Sequence, residues 1–169
     1  MDDALTLLLD IGCGHSPHGT VNVDRFINAT AHRSLDQRRV DDADLDVKNI
    51  PNFVCADACY LPFKDNVFDE AFSSHTLEHT DGEKMFREMV RVSSRKVQVV
   101  CPNQFGFKKK EKALHICVIN KKWFVRAAQK HGVFVIQLIY SDFIYFPHRF
   151  LRLVSIPNEI NFIGLKKTR

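Results

Sequence analysis

The sequence has no long apolar run: nothing in its 169 residues approaches the roughly 20 apolar positions of a membrane-crossing helix. Its acidic start, Met1-Asp2-Asp3, lacks the basic region that opens a secretory signal. It also lacks internal repeats, low-complexity stretches and linkers. These absences predict one cytoplasmic domain, spanning residues 1–169, with no membrane span.

A disulfide framework is not expected, because the cysteine count of five is odd and the chain shows no secretion signal. Two pairs, Cys55-x₃-Cys59 and His75-x₃-His79, match the ligand spacing of a zinc finger. However, Cys55 falls inside a predicted strand, and a finger would have to stand as its own small unit. We therefore expect no metal site.

Charge is balanced except for lysine and arginine late in the chain, which raise the net charge to +4. The basic clusters are Lys108-Lys109-Lys110, Lys112, Lys121-Lys122 and Lys166-Lys167 with Arg169. Solvated loop and helix faces are the simpler interpretation of these clusters. A contact surface for an anionic partner such as RNA is the alternative.

Seven apolar runs predict seven β-strands. The first run is continuous rather than alternating, which indicates a strand covered on both faces, as in a parallel sheet. The predicted strands are residues 5–11, 21–23, 52–56, 67–73, 96–101, 133–140 and 160–165.

Two helices are predicted between these strands. Thr80 and Glu83 have the spacing of a capping box at the start of the first. Its apolar stripe consists of Met85, Phe86, Met89, Val90 and Val92. The second helix begins after Asn120, a good N-cap, and ends before Gly132. Strands that alternate with helices predict right-handed βαβ units and a mostly parallel sheet.

A glycine turn and two acids follow the first three strands. Residues 7–14 read LLLDIGCG, so Gly12 and Gly14 would lie at the carboxyl edge of the sheet, where open α/β folds bind ligands. Asp24 ends the second strand, and its carboxylate can accept both hydroxyls of a ribose. Asp57 follows the third strand and can accept from an adenine amino group. The set predicts a nucleoside site.

Four segments then carry a family resemblance: residues 10–14 (DIGCG), 56–69 (ADACYLPFKDNVFD), 73–79 (SSHTLEH) and 86–92 (FREMVRV). In this order and spacing they resemble the class I S-adenosylmethionine-dependent methyltransferases, in particular the type 11-like group. The likeness runs over residues 5–140. It implies an α/β, Rossmann-like fold: a seven-stranded, mostly parallel sheet flanked by helices, in the order 3-2-1-4-5-7-6, with the last strand antiparallel.

The resemblance also implies S-adenosylmethionine as the cofactor and assigns its contacts. Asp10, Gly12 and Gly14 would lie at its methionine moiety, while Ser74 and His75 would lie beside its sulfonium. The residues expected to bind it are Asp10, Gly12, Cys13, Gly14, Asp24, Arg25, Asp57, Ala58, Ser74 and His75.

Three departures from the family pattern are visible. Ten positions separate Gly14 from Asp24, so residues 15–19 must form a loop where the family has a helix. The family's leading helix is missing, as expected for a short form. Ser93-Ser94-Arg95-Lys96 replaces the glycine-rich turn before strand five. These changes spare the cofactor motifs.

The predicted function is methyl transfer from S-adenosylmethionine to an unidentified acceptor, with a small-molecule or lipid-like acceptor first and RNA second. An inactive domain that binds RNA or a partner protein is the alternative. A dinucleotide-binding dehydrogenase is disfavoured because position 17 is proline where that fingerprint needs glycine. No catalytic residue is assigned, although His75 and His79 could act as a base near neutral pH.

Residues 142–157, between the last two strands, have no helical period, so those strands can pair antiparallel. This stretch is rich in aromatic residues and arginine, a composition enriched at binding interfaces. We predict that it covers the acceptor site or mediates self-association into a homo-oligomer. The alternative is that its aromatic side chains fill the core.

Overall fold

A computed structural model describes residues 6–27, 47–103, 116–148 and 151–167, without the side chains of 142–148 and 151–158. One sheet contains seven strands in the order β3-β2-β1-β4-β5-β7-β6. The strands are β1 (Leu8–Ile11), β2 (Val21–Asp24), β3 (Phe53–Cys55), β4 (Phe68–Ser74), β5 (Ser93–Pro102), β6 (Val133–His148) and β7 (Leu151–Lys166). The predicted order is confirmed.

The strand directions are also confirmed. Strands β1 to β5 pair in parallel, and β7 pairs antiparallel with both β5 and β6. Ile11 is in register with Val23 of β2 and with Ser73 of β4. The carboxyl ends of the first four strands therefore meet at one edge of the sheet.

Both predicted helices are present, as α1 (Gly82–Val92) and α2 (Lys121–Lys130). Short 3-10 helices occur at Val47–Asn49 and Leu77–His79. Within the described ranges, no helix has the length and apolar character needed to cross a bilayer.

The capping box predicted at Thr80 and Glu83 is wrong. Asp81 is the N-cap of α1, and its side chain accepts from the amide of Lys84. The hydroxyl of Thr80 instead donates to the carbonyl of Leu77 at 3.0 Å, which closes the preceding 3-10 turn. Aspartate is as good an N-cap as threonine. Because the 3-10 turn at Leu77–His79 engages the hydroxyl of Thr80, Asp81 becomes the N-cap.

The caps predicted for α2 are confirmed. The side chain of Asn120 accepts from the amide of Trp123 at 2.9 Å. Gly132, with φ of 67°, takes the left-handed conformation that commonly follows a helix end.

Both described α-helices lie on the same face of the sheet. Phe86 of α1 and Phe124 of α2 both contact Phe162 of β7, with ring centroids 5.6 and 4.8 Å apart. Leu9, Ile11, Val97 and Val99 point to the same core and are fully buried.

A loop covers the tip of the opposite face. The connection from β1 to β2 contains no helix, as predicted, and its His18 amide donates to Asp10 at 2.9 Å. The His18 ring packs edge-on against Phe72, with centroids 5.9 Å apart. A Cβ on Gly19 would lie 2.8 Å from the amide nitrogen of Asp10, so glycine lets the loop pack this closely. Strand β1 is thereby buried on both faces at its carboxyl end.

The last two strands are longer than predicted. Strands β6 and β7 have 16 residues each and pair from Val133↔Lys166 to His148↔Leu151. Strand β5 ends where Pro102 pairs with Glu159, so the outer part of the hairpin extends past the carboxyl edge of the sheet. Residues 142–148 and 151–157 thus belong to a two-stranded β-ribbon. The side chains behind our lid or self-association prediction lie outside the described part.

Arg91 of α1 forms hydrogen bonds that hold the connection between β3 and β4 against the helix. Its guanidinium forms a bidentate pair with Glu88, at 2.8 and 2.7 Å, and donates to the carbonyls of Leu61 and Phe63. Arg91→Met would leave the buried Glu88 carboxylate without its cation. We expect the free energy of unfolding to fall by about 2 kcal/mol in urea titrations. Arg87→Met, on the exposed side of the same helix, is the control and should change stability little.

The contribution of this pair depends on pH. The Arg91 hydrogen bonds hold the pKa of Glu88 below its ordinary value of 4.5. A depressed carboxyl pKa stabilises the fold above that ordinary value, and the gain is lost as pH falls through the lower folded pKa. The stability difference between wild type and Arg91→Met should therefore be full at pH 6 and shrink below pH 4.5. A difference that stays constant to pH 3 would contradict this role.

Candidate functional site

A tight glycine turn forms the centre of the carboxyl edge. The amides of Gly12 and Cys13 both donate to the carbonyl of Val23, at 2.8 and 3.1 Å. Gly12 has φ of 77° and Gly14 has φ of 52°, a backbone region that favours glycine. Among the described residues, a Cβ on Gly14 would meet nothing within 4 Å, so this part of the chain leaves space beside the turn.

The loop after β4 packs directly on this turn. A Cβ on Gly12 would lie 1.9 Å from the Thr76 hydroxyl oxygen, so no larger residue fits without moving the loop. The same hydroxyl contacts the carbonyls of Gly12, at 3.4 Å, and Ser74, at 3.1 Å. The ends of β1 and β4 are therefore held together by glycine at one side and threonine at the other.

Asp24, at the end of β2, supports the turn from beside it. Its side chain is buried, with Oδ2 accepting from the Gly14 amide and Oδ1 from the Phe26 amide, both at 2.9 Å. Each carboxylate oxygen has a further lone pair with which it can accept from a ligand hydroxyl. Asp24 thus combines a structural role with an acceptor role at the site.

Asp57 lies at the neighbouring strand end. The carbonyl of Asp24 accepts from the amide of Ala56 at 3.0 Å, which joins the tips of β2 and β3. Asp57 and Ala58 follow directly and are half-buried. Oδ1 of Asp57 accepts from the Cys59 amide at 2.8 Å, which fixes the carboxylate at the rim. Arg25 is exposed, and only its backbone carbonyl has a contact in the described region, with the Cys55 thiol.

Asp10 and Cys13 are buried beneath the turn. Burial raises the pKa of Asp10, partly offset by the hydrogen bond from the His18 amide. Burial, with the nearby carboxylates of Asp24 and Asp10, raises the pKa of the Cys13 thiol to about 12. The thiol is therefore neutral at physiological pH and is no nucleophile. In the described region the Asp10 carboxylate contacts the β1–β2 loop.

His75 stands at the end of β4 in a strained conformation, with φ of 52°. Its Nε2 lies 2.8 Å from Oε1 of Glu159 on β7, and its Nδ1 lies 3.8 Å from Oε1 of the buried Glu78. About a third of the His75 side chain remains exposed. Strained backbone held by surrounding contacts is common at functional sites. The two carboxylates fix the direction of the imidazole.

The structure thus places the predicted residues at one edge, around the ends of β1 to β4. Thr76 and Glu159 are two further residues of this region that sequence reasoning missed. The sequence could have drawn attention to Glu159, since it is the only carboxylate side chain in residues 143–169. No sequence pattern indicates that Thr76 packs over Gly12, because 64 residues separate the two in the chain.

The structure does not bring the residues with zinc-finger spacing into one described metal-binding group. Cys55 is exposed, whereas Cys59 is buried with its thiol against the carbonyl of Asp81. Over residues 6–27, 47–103, 116–148 and 151–167, no three side chains of His, Cys, Asp or Glu form a group suited to a metal ion.

This donor set suits a nucleoside ligand: a glycine turn beside open space, and carboxylates at two successive strand tips. Comparison of the sequence with known families shows to which protein family the chain belongs. Residues 9–101, more than half of the chain, match the methyltransferase domain family. The chain belongs to this family. Its sheet order is that of the class I, Rossmann-like, S-adenosylmethionine-dependent methyltransferases.

One relative of this methyltransferase domain matches most of its sequence. An uncharacterized protein of Methanocaldococcus jannaschii is 26% identical over 149 residues, which is 83% of this chain. The chain spans only 59% of that relative's length.

Solved structures extend the likeness at lower identity. A SAM-dependent methyltransferase from Archaeoglobus fulgidus superposes with a TM-score of 0.64 at 15% identity, covering 94% of this chain and 85% of that one. Magnesium protoporphyrin IX methyltransferase from Synechocystis, solved with bound SAM, gives 0.54 at 12% identity, covering 96% and 70%. At such low sequence identity, these superpositions show a shared fold and nothing more specific.

Proposed function

We propose that this methyltransferase domain binds S-adenosylmethionine at the carboxyl edge and transfers its methyl group to a small-molecule or lipid-like acceptor. The observation that carries the proposal is the convergence of the Gly12–Gly14 turn, Asp24 and Asp57 at adjacent strand tips. Open space beside Gly14 leaves room for a ligand against the backbone. The carboxylates supply acceptors for ribose hydroxyls and for an adenine amino group.

The proposed roles of the residues are those that the family resemblance implies. Asp24 would hold the ribose, and Asp57 with Ala58 the adenine. The turn from Asp10 to Gly14 would line the methionine portion, with Ser74 and His75 near the sulfonium. Arg25, exposed beside Asp24, would contact the cofactor from the rim.

Bound S-adenosylmethionine supplies a methyl group already activated on a sulfonium. The residues of this chain then have to hold cofactor and acceptor in line, with the reacting atoms ~3–3.5 Å apart, and exclude water. The packing of Thr76 over Gly12 makes the floor of the site rigid. A rigid floor favours the alignment that such a transfer needs.

RNA is the less favoured acceptor because the described lysines of the basic clusters are partly engaged. Lys166 donates to the carbonyls of Val90 and Ser93 at the end of α1. Lys121 lies over the ring of Tyr140, 3.8 Å from its centroid. Lys108–Lys110, Lys112 and Arg169 lie outside the described residues.

Isothermal titration calorimetry tests the proposal. We expect saturable binding of S-adenosylmethionine and S-adenosylhomocysteine, and none of NAD, because the turn does not continue into the dinucleotide fingerprint. Binding of NAD without S-adenosylhomocysteine would overturn the proposal. A screen with methyl-labelled S-adenosylmethionine would then separate an active enzyme from a domain that binds the cofactor without turnover.

A further inference from the structure

Strand β6 is the outer strand of the sheet, and β7 is its one strand partner in the described part of the chain. It runs for 16 residues, and its register with β7 is unbroken from Gln137↔Ile163 to Phe146↔Val154. The outer edge of such a strand presents a row of backbone donors and acceptors. That row is a template for pairing with another strand.

The edge carries few of the features that usually protect it. Strand β6 contains no lysine or arginine, and Asp142 is its only acidic residue. Three of its large apolar side chains are exposed: Phe134 by 59%, Ile136 by 60% and Ile139 by 46%. A register shift between Val135 and Gln137 bends the start of the strand, and Pro147 stands near its end. Among the described residues, β7 is the strand that pairs with the ten residues between these two features, and the charged groups known beside them include Asp142 and Lys121, whose Nζ lies over the ring of Tyr140.

We propose that β6 pairs antiparallel with β6 of a second copy of this chain, joining the two sheets across a twofold axis. An isologous contact needs a surface that complements itself. A strand edge complements itself, because the backbone carbonyls of an antiparallel copy face the backbone N–H groups of the first copy. A lipid surface offers no such partners, and the backbone groups would remain unsatisfied there.

The charge pattern along β6 allows this pairing in specific registers. Twofold symmetry requires that one residue of β6 lie opposite its own copy. A register centred on Tyr140 or Ser141 places Asp142 opposite an uncharged residue of the copy. A register centred on Asp142 would set two like charges directly opposite, which destabilises a pair. The single acid therefore disfavours one register and leaves the neighbouring registers open.

Light scattering coupled to size exclusion, run from 1 to 100 μM, tests the proposal. The wild-type chain should give about twice its mass of 19.5 kDa at the upper concentrations. Ile139→Lys puts a charge on the edge and should weaken dimerisation about tenfold or more. Val125→Lys is the matched control: Val125 is an apolar residue of α2, 41% exposed, and the variant should remain a dimer.

Calorimetry with S-adenosylhomocysteine keeps this proposal separate from the proposed function. Ile139 lies outside the cofactor site, so Ile139→Lys should bind the ligand like wild type. A wild-type dimer that fails to bind it would contradict the function and leave the strand pairing intact. A wild-type monomer at 100 μM, or equal dimerisation of both lysine variants, would overturn the pairing.

Hydrogen exchange on the wild-type chain provides a second test that needs no variant. Amides between Gln137 and Phe146 should exchange more slowly at 100 μM than at 1 μM, while those of α2 should not change. Protection that is independent of concentration would overturn the proposal. So would protection that appears only when a different protein is added.

Discussion

Phe86→Ala is expected to lower the free energy of unfolding by about 3–5 kcal/mol. Phe86 is fully buried and lies where α1, α2 and β7 meet. Its ring contacts the rings of Trp123, Phe124 and Phe162, with centroids 5.6 to 6.5 Å apart. Its removal leaves a cavity that three elements would have to close together.

Urea titration followed by circular dichroism measures this effect. Phe134→Ala is the control, because Phe134 is 59% exposed on β6 and its truncation removes little buried area. Its stability should stay within about 1 kcal/mol of wild type. A Phe86→Ala loss no larger than that of Phe134→Ala would show that the two helices do not share one core.

Asp24→Asn is expected to weaken binding of S-adenosylhomocysteine about 10- to 100-fold, which corresponds to the 1.5–3 kcal/mol of a charged hydrogen bond. Asparagine keeps the volume of aspartate but replaces one acceptor oxygen by a donor. The Gly14 and Phe26 amides both donate to the Asp24 carboxylate, so a stability loss of about 1–3 kcal/mol should accompany the change. Calorimetry and thermal melting measure the two effects separately.

A ligand without ribose hydroxyls distinguishes the two roles of Asp24. The affinity of wild type and Asp24→Asn for a 2′,3′-dideoxy analogue of S-adenosylhomocysteine should be similar, because the lost acceptors have no hydroxyls to meet. An equal loss with both ligands would mean that Asp24 acts only by holding the glycine turn. Asp65→Asn, on an exposed residue, is the control for a change of charge.

The order of the sheet could be predicted because the resemblance to the methyltransferases implies it, and the motifs that carry this resemblance lie within single segments. The apolar run into Gly12, the acids at Asp24 and Asp57, and the cap at Asn120 are each visible in a few neighbouring residues. The predicted end of β6 was too early and the predicted start of β7 was too late, because a strand lasts as long as its partner does. The pairing of residues 142–148 with residues 151–157 sets that length, and no local pattern expresses it.

The details of the site depend on distant contacts. His75 and Glu159 are 84 positions apart, so their pairing follows only from the arrangement of β4, β5 and β7. The choice of Asp81 over Thr80 as a cap also depends on context, since the Thr80 hydroxyl is already bonded to Leu77. Residue types at the site could be predicted, while the partners that orient them required the fold.

The place of β7 has a consequence for synthesis of the chain on the ribosome. Strand β7 follows β6 in sequence but lies between β5 and β6 in the sheet. Until the residues up to Lys166 have emerged, β6 has no neighbour through which to join β5. This half of the sheet therefore completes only after translation has passed that point, and a nascent chain that stalls earlier exposes the apolar strand β6 to aggregation.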